Sequence, residues 1–198
     1  MRADAIVFGV AGSLFGLIIG WVLGTQNASG TARQAAPVAQ AAPAAPAAQQ
    51  PAQLDQARVQ ALQTVAEKDP SNVESRVQLG NLFFDAEQYA QSIKWYEQAI
   101  ALNPADANVS TDLGVAYYYT NQPDRALAQF DKSLASDPKH IKTLLNVGIV
   151  RAFGKSDLPG AARAWEQVVA ISPDSPEGQA AKKGLEGVKN TSAGIAGK

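Results

Sequence analysis

The chain has 198 residues, of which 46% are hydrophobic and 18% charged, and its formal net charge is −1. It contains no cysteine and a single histidine, which excludes disulfide frameworks and thiolate metal sites and leaves little material for a histidine-based catalytic or metal site. The near-neutral charge also lacks the basic surface of a nucleic-acid-binding protein, so no nucleic acid is expected as a partner.

Residues 1–24 predict a transmembrane anchor. No charged side chain occurs in residues 5–24, and a helix of that length reaches about 30 Å, the thickness of the hydrocarbon core. A cleaved signal peptide is the alternative, although its apolar region is usually only about 7–15 residues long. The sparse flanking charge favours a cytoplasmic N-terminus. The sequence therefore predicts a single-pass protein of a bacterial inner membrane, with the following domain in the periplasm.

Within this span, small residues recur every four positions. They are Gly12, Gly16, Gly20 and Gly24. In lipid, such residues let helix backbones approach closely, so they predict a packing face for a homodimer or for the span of another subunit. Glycine is also generally common in membrane helices, which is the alternative explanation.

Residues 25–53 predict a flexible linker. They contain twelve alanines, six glutamines and four prolines, with Arg33 as the only charge. The prolines interrupt any helix, and the composition cannot form a core. The following domain is therefore expected to be tethered to the membrane by a flexible linker and not packed against it.

The remainder of the chain is repetitive, with a period of 34 residues. The pairs Leu79-Gly80, Leu113-Gly114 and Val147-Gly148 keep this spacing, as do Pro70, Pro104 and Pro138. A small residue followed four positions later by an aromatic ring also recurs, at Ser92 and Tyr96, Ala126 and Phe130, and Ala161 and Trp165. Apolar residues run at helical spacing on both sides of a polar break, so each unit predicts a helix pair.

This pattern resembles the tetratricopeptide repeat family. The resemblance implies an all-α solenoid of three helix pairs, residues 71–104, 105–138 and 139–173, with cap helices at 54–70 and 174–189 and a flexible tail at 190–198. Capping-box patterns at Ser71 with Glu74 and at Asp174 with Glu177 predict two helix starts. The mid-helix glycines each cost about 1 kcal/mol relative to alanine, which indicates close helix crossings.

The third repeat departs from the other two. Arg151 occupies the position of Phe83 and Tyr117, and one extra residue falls around 155–160. We expect a distorted turn there, within the solenoid.

The family resemblance implies a binding groove lined by the first helix of every pair. Carried over by position, the lining is Val77, Asn81, Phe84, Asp85, Asp112, Val115, Tyr118, Tyr119, Lys142, Leu145, Asn146, Ile149 and Phe153, with Glu74, Asn108 and Thr111 beside them. Such a groove predicts a protein or peptide partner with apolar or aromatic side chains. Of Tyr118 and Tyr119, one is expected to pack in the core and the other to face the groove.

Some members of the family hold a peptide's terminal carboxylate with a clamp of lysine, asparagine and arginine. Asn81 and Lys142 match that clamp, but Val77 and Asp112 do not, and Asn146 replaces the arginine. Because an acid at the centre of the clamp repels a carboxylate, we exclude this specialised function.

No catalytic pattern is present, and neither an enzyme nor a cofactor is expected. The only histidine, His140, follows Pro138 in a turn and is expected to be a solvated loop residue. Charge is unevenly distributed: residues 54–137 carry twelve acids and six bases, a net −6, whereas residues 138–198 carry five acids and nine bases, a net +4. This polarity could orient a partner or favour head-to-tail contact between copies.

The sequence therefore favours a membrane-tethered scaffold that binds other proteins and assists assembly of envelope complexes or cytochrome maturation. Two alternatives stay open. One is a structural homo-oligomer assembled through the glycine face, and the other is a secreted soluble chaperone released by signal cleavage.

Overall fold

The computed structural model describes residues 53–196, which form eight α-helices. The membrane anchor of residues 1–24, its glycine face and the linker up to residue 52 lie outside the described residues, as do residues 197–198. The helices are α1 Gln56–Lys68, α2 Val73–Asp85, α3 Tyr89–Leu102, α4 Ala107–Tyr119, α5 Pro123–Ser136, α6 Ile141–Ile149, α7 Leu158–Ile171 and α8 Pro176–Ala196. No strand occurs in this part of the chain, and the predicted all-helical solenoid of helix pairs is confirmed there.

Helix starts are set by short polar side chains. The carboxylates of Asp55 and Asp106 and the amide oxygen of Asn72 each accept a hydrogen bond from the backbone N–H three residues later. The capping box predicted at Ser71 was wrong by one residue, because the Ser71 hydroxyl instead donates to Asp69, at 2.6 Å. Similarly, Ser175 rather than Asp174 accepts from the backbone at the start of α8.

In each helix pair, a glycine of the first helix packs against an aromatic ring of the second helix. Gly80 faces Tyr96, Gly114 faces Phe130 and Gly148 faces Trp165, and a Cβ at any of these glycines would lie less than 3.0 Å from the ring. The three rings are almost completely buried. Close crossing therefore compensates for the low helix propensity of glycine, as the sequence indicates.

The core runs through all the pairs. Its central part contains Leu113, Tyr117, Phe130 and Val150, and its C-terminal part is centred on Trp165 and Val168. At the N-terminal end, α1 packs through Val59 against Leu79 and Phe83. Burial of these apolar faces between neighbouring pairs is what stabilises a solenoid.

The extra residue of the third repeat lies earlier than the sequence suggests. The left-handed turn residues Glu87, Asn121 and Ser156, with φ of 56°, 59° and 55°, are separated by 34 and then 35 residues. The insertion therefore falls between Gly148 and Ser156, where Val150–Gly154 forms one π-helical turn. A π turn accommodates one added residue without ending the helix. The distortion thus lies in the π turn that directly follows α6 and not in the connecting turn after it.

Arg151, which replaces an aromatic residue of the other repeats, stabilises this distorted end. Its guanidinium group donates to the Asp157 carboxylate at 3.0 Å. Asp157 in turn accepts from the N–H of Gly160 at 2.8 Å and caps α7. The two charged side chains are 37% and 38% exposed, so this ion pair does not replace a buried ring, and the buried positions of the π turn are those of Val150 and Ala152.

The last helix is longer than predicted. Instead of ending near residue 189, α8 continues to Ala196, and no proline interrupts it after Pro176. Its buried Ala181 and partly buried Leu185 pack against the C-terminal core. No helix among residues 53–196 is both long and apolar enough to cross a bilayer.

Candidate protein-binding groove

The predicted groove residues lie on the first helices of the three pairs and, in the third pair, also on the π turn that continues the first helix. Helix α2 carries Val77, Asn81, Phe84 and Asp85; α4 carries Asp112, Val115, Tyr118 and Tyr119; α6 carries Lys142, Leu145, Asn146 and Ile149; and the π turn carries Phe153. We call these thirteen residues the groove face. They recur at matching positions of the repeats because each repeat is folded in the same way.

None of the groove-face side chains is buried. On the same helices, Leu79 and Leu113 are 0% and 2% exposed, because those positions point to the core. By contrast, Tyr119 is 42% exposed and Phe153 is 61% exposed. Large apolar side chains that stay open to solvent on one face are typical of an interaction surface.

Four rings form a cluster at one end of the groove face. Tyr89 and Tyr119 are stacked, with centroids 4.6 Å apart and planes at 11°, and Phe84 lies edge-on to both, at 5.2 and 5.9 Å. Tyr118 is tilted against Tyr119 at 6.1 Å. We call Phe84, Tyr89, Tyr118 and Tyr119 the aromatic patch. Such offset and edge-to-face contacts are favourable, so the rings are held in defined positions.

The three consecutive tyrosines of α4 have different surroundings. Tyr117 is buried and its hydroxyl donates to Glu97 at 2.5 Å, while Tyr118 packs partly against the central core and Tyr119 faces solvent. A Cβ at Gly154 would lie 3.1 Å from Cε2 of Tyr118, so the π turn lies directly against this ring. Tyr118 therefore joins the second repeat to the segment that carries Phe153.

Tyr89 was missed by sequence reasoning. It is the first residue of α3, the second helix of its pair, whereas the family resemblance assigns the groove to first helices only. An aromatic residue directly after the polar turn of residues 86–88 is the signal that could have indicated it.

A half-buried carboxylate lies in the middle of the groove face. Burial raises the pKa of Asp112, the nearby Lys142 lowers it, and Asp106 raises it again. The carboxylate forms no ion pair within 4.0 Å in the described part of the chain. The folded protein thus holds a poorly compensated negative charge at this position.

Replacing Asp112 by asparagine is expected to stabilise the protein at neutral pH. Because the pKa is higher in the folded state than the ordinary value of 3.8, the stability that this group contributes is complete below that value. It is lost as the pH rises through the folded-state pKa. Urea unfolding near pH 7 should therefore show a gain for Asp112→Asn that shrinks near pH 3. Asp131→Asn, at an exposed aspartate of α5, is the control, and a loss of stability at pH 7 would contradict the expectation.

The expectation that His140 is a solvated loop residue was wrong. Its ring is partly buried, with Nδ1 2.6 Å from the Thr143 hydroxyl and Nε2 3.1 Å from the Asn108 amide oxygen. Thr143 also lies 2.6 Å from the hydroxyl of Thr111 and 2.7 Å from that of Ser133. Thr111, expected beside the groove, is therefore buried in a hydroxyl network between α4, α5 and α6. The sequence offers no periodic signal for such a network.

An open cavity of about 430 Å³ lies elsewhere, between α1 and α3. Six of its eleven lining residues are glutamines, and Trp95 and Phe83 contribute rings. It includes none of the groove-face residues. No three His, Asp or Glu side chains of residues 53–196 gather in an arrangement that could hold a metal ion.

Comparison with known proteins identifies the repeats. Two family models match, one described as TPR repeat over residues 80–121 and one described as tetratricopeptide repeat over residues 111–176. Neither describes an enzyme.

Two curated relatives and one solved structure illustrate the similarity. The heat-shock protein cognate co-chaperone sgt12 of Aspergillus fumigatus is 28% identical over 110 residues, which cover 56% of this chain and 32% of that protein. The formate-dependent nitrite reductase complex subunit NrfG of Escherichia coli O157:H7 is 28% identical over 120 residues, or 59% of this chain and 60% of that protein. The chain thus spans less than two thirds of the length of either relative.

The solved structure is the first TPR of Spaghetti (RPAP3), bound to the HSP90 peptide SRMEEVD. Its TM-score is 0.57 at 21% identity, and the match covers 63% of this chain and 96% of that chain. At this identity the likeness concerns the fold.

Proposed function

Because residues 80–176 belong to the tetratricopeptide repeat family, a family of protein-interaction modules, we propose that this chain is a scaffold that binds another polypeptide through its groove face. The observation that carries the proposal is the exposure of Tyr119 and Phe153 on the first helices of successive pairs. Core positions on these helices are filled by other side chains, and although Tyr119 also contacts Phe84 and Tyr89, both exposed rings keep a large solvent-facing surface. A partner segment would cover them.

The chemistry of the groove face supports a peptide ligand. Tyrosine and phenylalanine bury a large area with few rotatable bonds, which is why aromatic side chains dominate binding energies at interfaces. The relatives agree with this use of the fold: one is named a co-chaperone, one a complex subunit, and a structure of similar fold has a bound peptide.

The proposed scaffold is tethered to a bacterial inner membrane by residues 5–24, with its repeats in the periplasm. The uncharged stretch of membrane-spanning length supports the tether, and the alanine- and proline-rich linker supports a domain free to search for partners. Assistance in assembling envelope complexes or in cytochrome maturation is the proposed role.

We expect Tyr119→Ser and Phe153→Ser each to weaken partner capture by about tenfold or more, because a ring that is covered on binding contributes about 2 kcal/mol. Leu102→Ser is the matched control, since Leu102 is 43% exposed at the end of α3, outside the groove face. The tagged full chain and its variants would be compared as bait in detergent extracts of native membranes. The amount of each co-purified protein would be quantified.

Proteins captured by the wild type and by Leu102→Ser but lost with both ring variants are the result expected. Equal capture by all four proteins, with unchanged circular dichroism, would show that the groove face does not bind the partner.

A further inference from the structure

We infer that the bound segment carries an arginine or lysine side chain that lies on the aromatic patch, beside the Glu87 carboxylate and at the end of a groove face that also carries Asp85 and Asp112. This inference rests on the proposed function and adds the chemistry of the partner. Three features of the described residues carry it: the geometry of the rings, the unpaired acids beside them and along the groove face, and the distribution of charge along the solenoid.

The ring cluster is partly open to solvent, so a cation can reach it. In the stacked pair, Tyr119 keeps 42% of its surface exposed, and Phe84 holds the pair from the side. A guanidinium or ammonium group within about 6 Å of a ring centroid is attracted to the face of the ring. The chain already contains such a contact, with the guanidinium carbon of Arg125 4.0 Å from the centroid of Tyr117.

The acids beside the patch and along the groove face have no cationic partner at close range. In residues 53–196, none of Asp85, Glu87 and Asp112 forms an ion pair within 4.0 Å, although Lys142 lies near enough to Asp112 to lower its pKa. Burial, followed by the Glu87 carboxylate, raises the pKa of Tyr89 to about 12, which indicates that this acid is close to the ring. Glu87 contributes to the raised pKa of Tyr119 as well.

The distribution of charge along the repeats also favours a basic residue at the aromatic patch. The aromatic patch lies in the half of the chain whose net charge is −6, whereas the following residues 138–198 carry +4. Complementary charge guides a partner and fixes its direction. A segment with a basic residue at the patch, and an acidic or neutral residue near Lys142, would match this polarity.

Acidic ligands do not fit the patch. The peptide SRMEEVD of the structurally similar domain has two glutamates and an aspartate against one arginine, whereas Asp85 and Asp112 of the groove face and the nearby Glu87 have no ion-pair partner in the described residues. Like charges in a half-buried groove repel one another. The groove face therefore selects against this class of peptide.

The test uses three short synthetic peptides that differ only at a central arginine, glutamine or glutamate between phenylalanine and leucine residues. Their affinities for the purified full chain in detergent would be measured by fluorescence anisotropy. We expect arginine to bind about tenfold more tightly than glutamine, and glutamate to bind most weakly. The arginine preference should fall as salt screens the acids.

Variants separate the ring from the charge. Tyr119→Leu should reduce the arginine preference, and Tyr119→Phe should keep it, since both retain an apolar side chain but only phenylalanine keeps the ring. Asp85→Asn with Glu87→Gln should also reduce it. The matched control, Glu67→Gln with Asp131→Asn, removes two charges from outside the patch.

The outcomes distinguish this inference from the proposed function. Equal binding of all three peptides, or the tightest binding by the glutamate peptide, would overturn the inference and leave the peptide-binding function standing. If none of the peptides binds the folded protein, the proposed groove function itself is overturned, and the inference with it.

Discussion

A Phe130→Ala variant is expected to lose about 4 kcal/mol of unfolding free energy, the usual cost of removing a large ring from a tight core. Phe130 is 0% exposed and fills the space between the helices of the second pair, with Gly114 directly beneath it. A loss of this size is a large part of the stability of a domain of this length. Urea unfolding followed by circular dichroism would measure it.

The same site allows a sharper test, because the effect of Gly114→Ala should depend on the ring. In the wild type, the added methyl group would overlap Phe130, and overpacking costs about 1–3 kcal/mol. In the Phe130→Ala background the clash is gone, and alanine is favoured over glycine in a helix by about 1 kcal/mol. The substitution should then be stabilising.

A double-mutant cycle would show this reversal as a coupling between the two positions. Gly187→Ala is the control, since a Cβ there meets no atom within 4 Å. The close-crossing explanation fails if Gly114→Ala has the same effect with and without the ring.

Thr143→Val is expected to destabilise the protein by about 2 kcal/mol, because it leaves buried polar groups without a partner. Its hydroxyl lies within 2.7 Å of Thr111, Ser133 and His140 at the junction of three helices. Valine has nearly the same shape, so the packing is retained and the loss isolates the hydrogen bonds.

The matched control is Thr64→Val, at an exposed position of α1 where the hydroxyl donates to the backbone oxygen of Gln60. That substitution should change the unfolding free energy by less than about 0.5 kcal/mol. If both variants lose the same amount in thermal and urea unfolding, the network between α4, α5 and α6 contributes nothing specific.

The repeat architecture could be predicted from the sequence because it depends on periodic features. A glycine on the first helix and a ring on the second recur in every pair, sixteen residues apart in the first two pairs and seventeen in the third, and each marks a crossing that the structure contains. The number of pairs and the core side of each helix follow from the same period.

Features without a period were missed. The inserted residue could be detected by counting but not located, since an α-helix can absorb it in a π turn, as residues 150–154 do. Of the partners of His140, Thr143 is three residues away, but Asn108 lies on α4, 32 residues earlier, so only the packed structure brings it to the ring. Tyr89 belongs to the aromatic patch but lies on the second helix of its pair, whereas the family resemblance assigns the groove to first helices only.

The packed core extends beyond the last residue that matches the repeat family, because the final helix α8 also packs against Trp165. Trp165 lies between Gly148 on one side and Gly184 on the other, and a Cβ at Gly184 would come within 2.8 Å of the indole. The family match stops at residue 176, so a fragment cut there would strip one face of an indole that is only 3% exposed. A shortened domain should therefore retain α8 at least beyond Leu185, and the fluorescence of Trp165, recorded with Trp95→Phe in place, would report whether that helix packs against the indole.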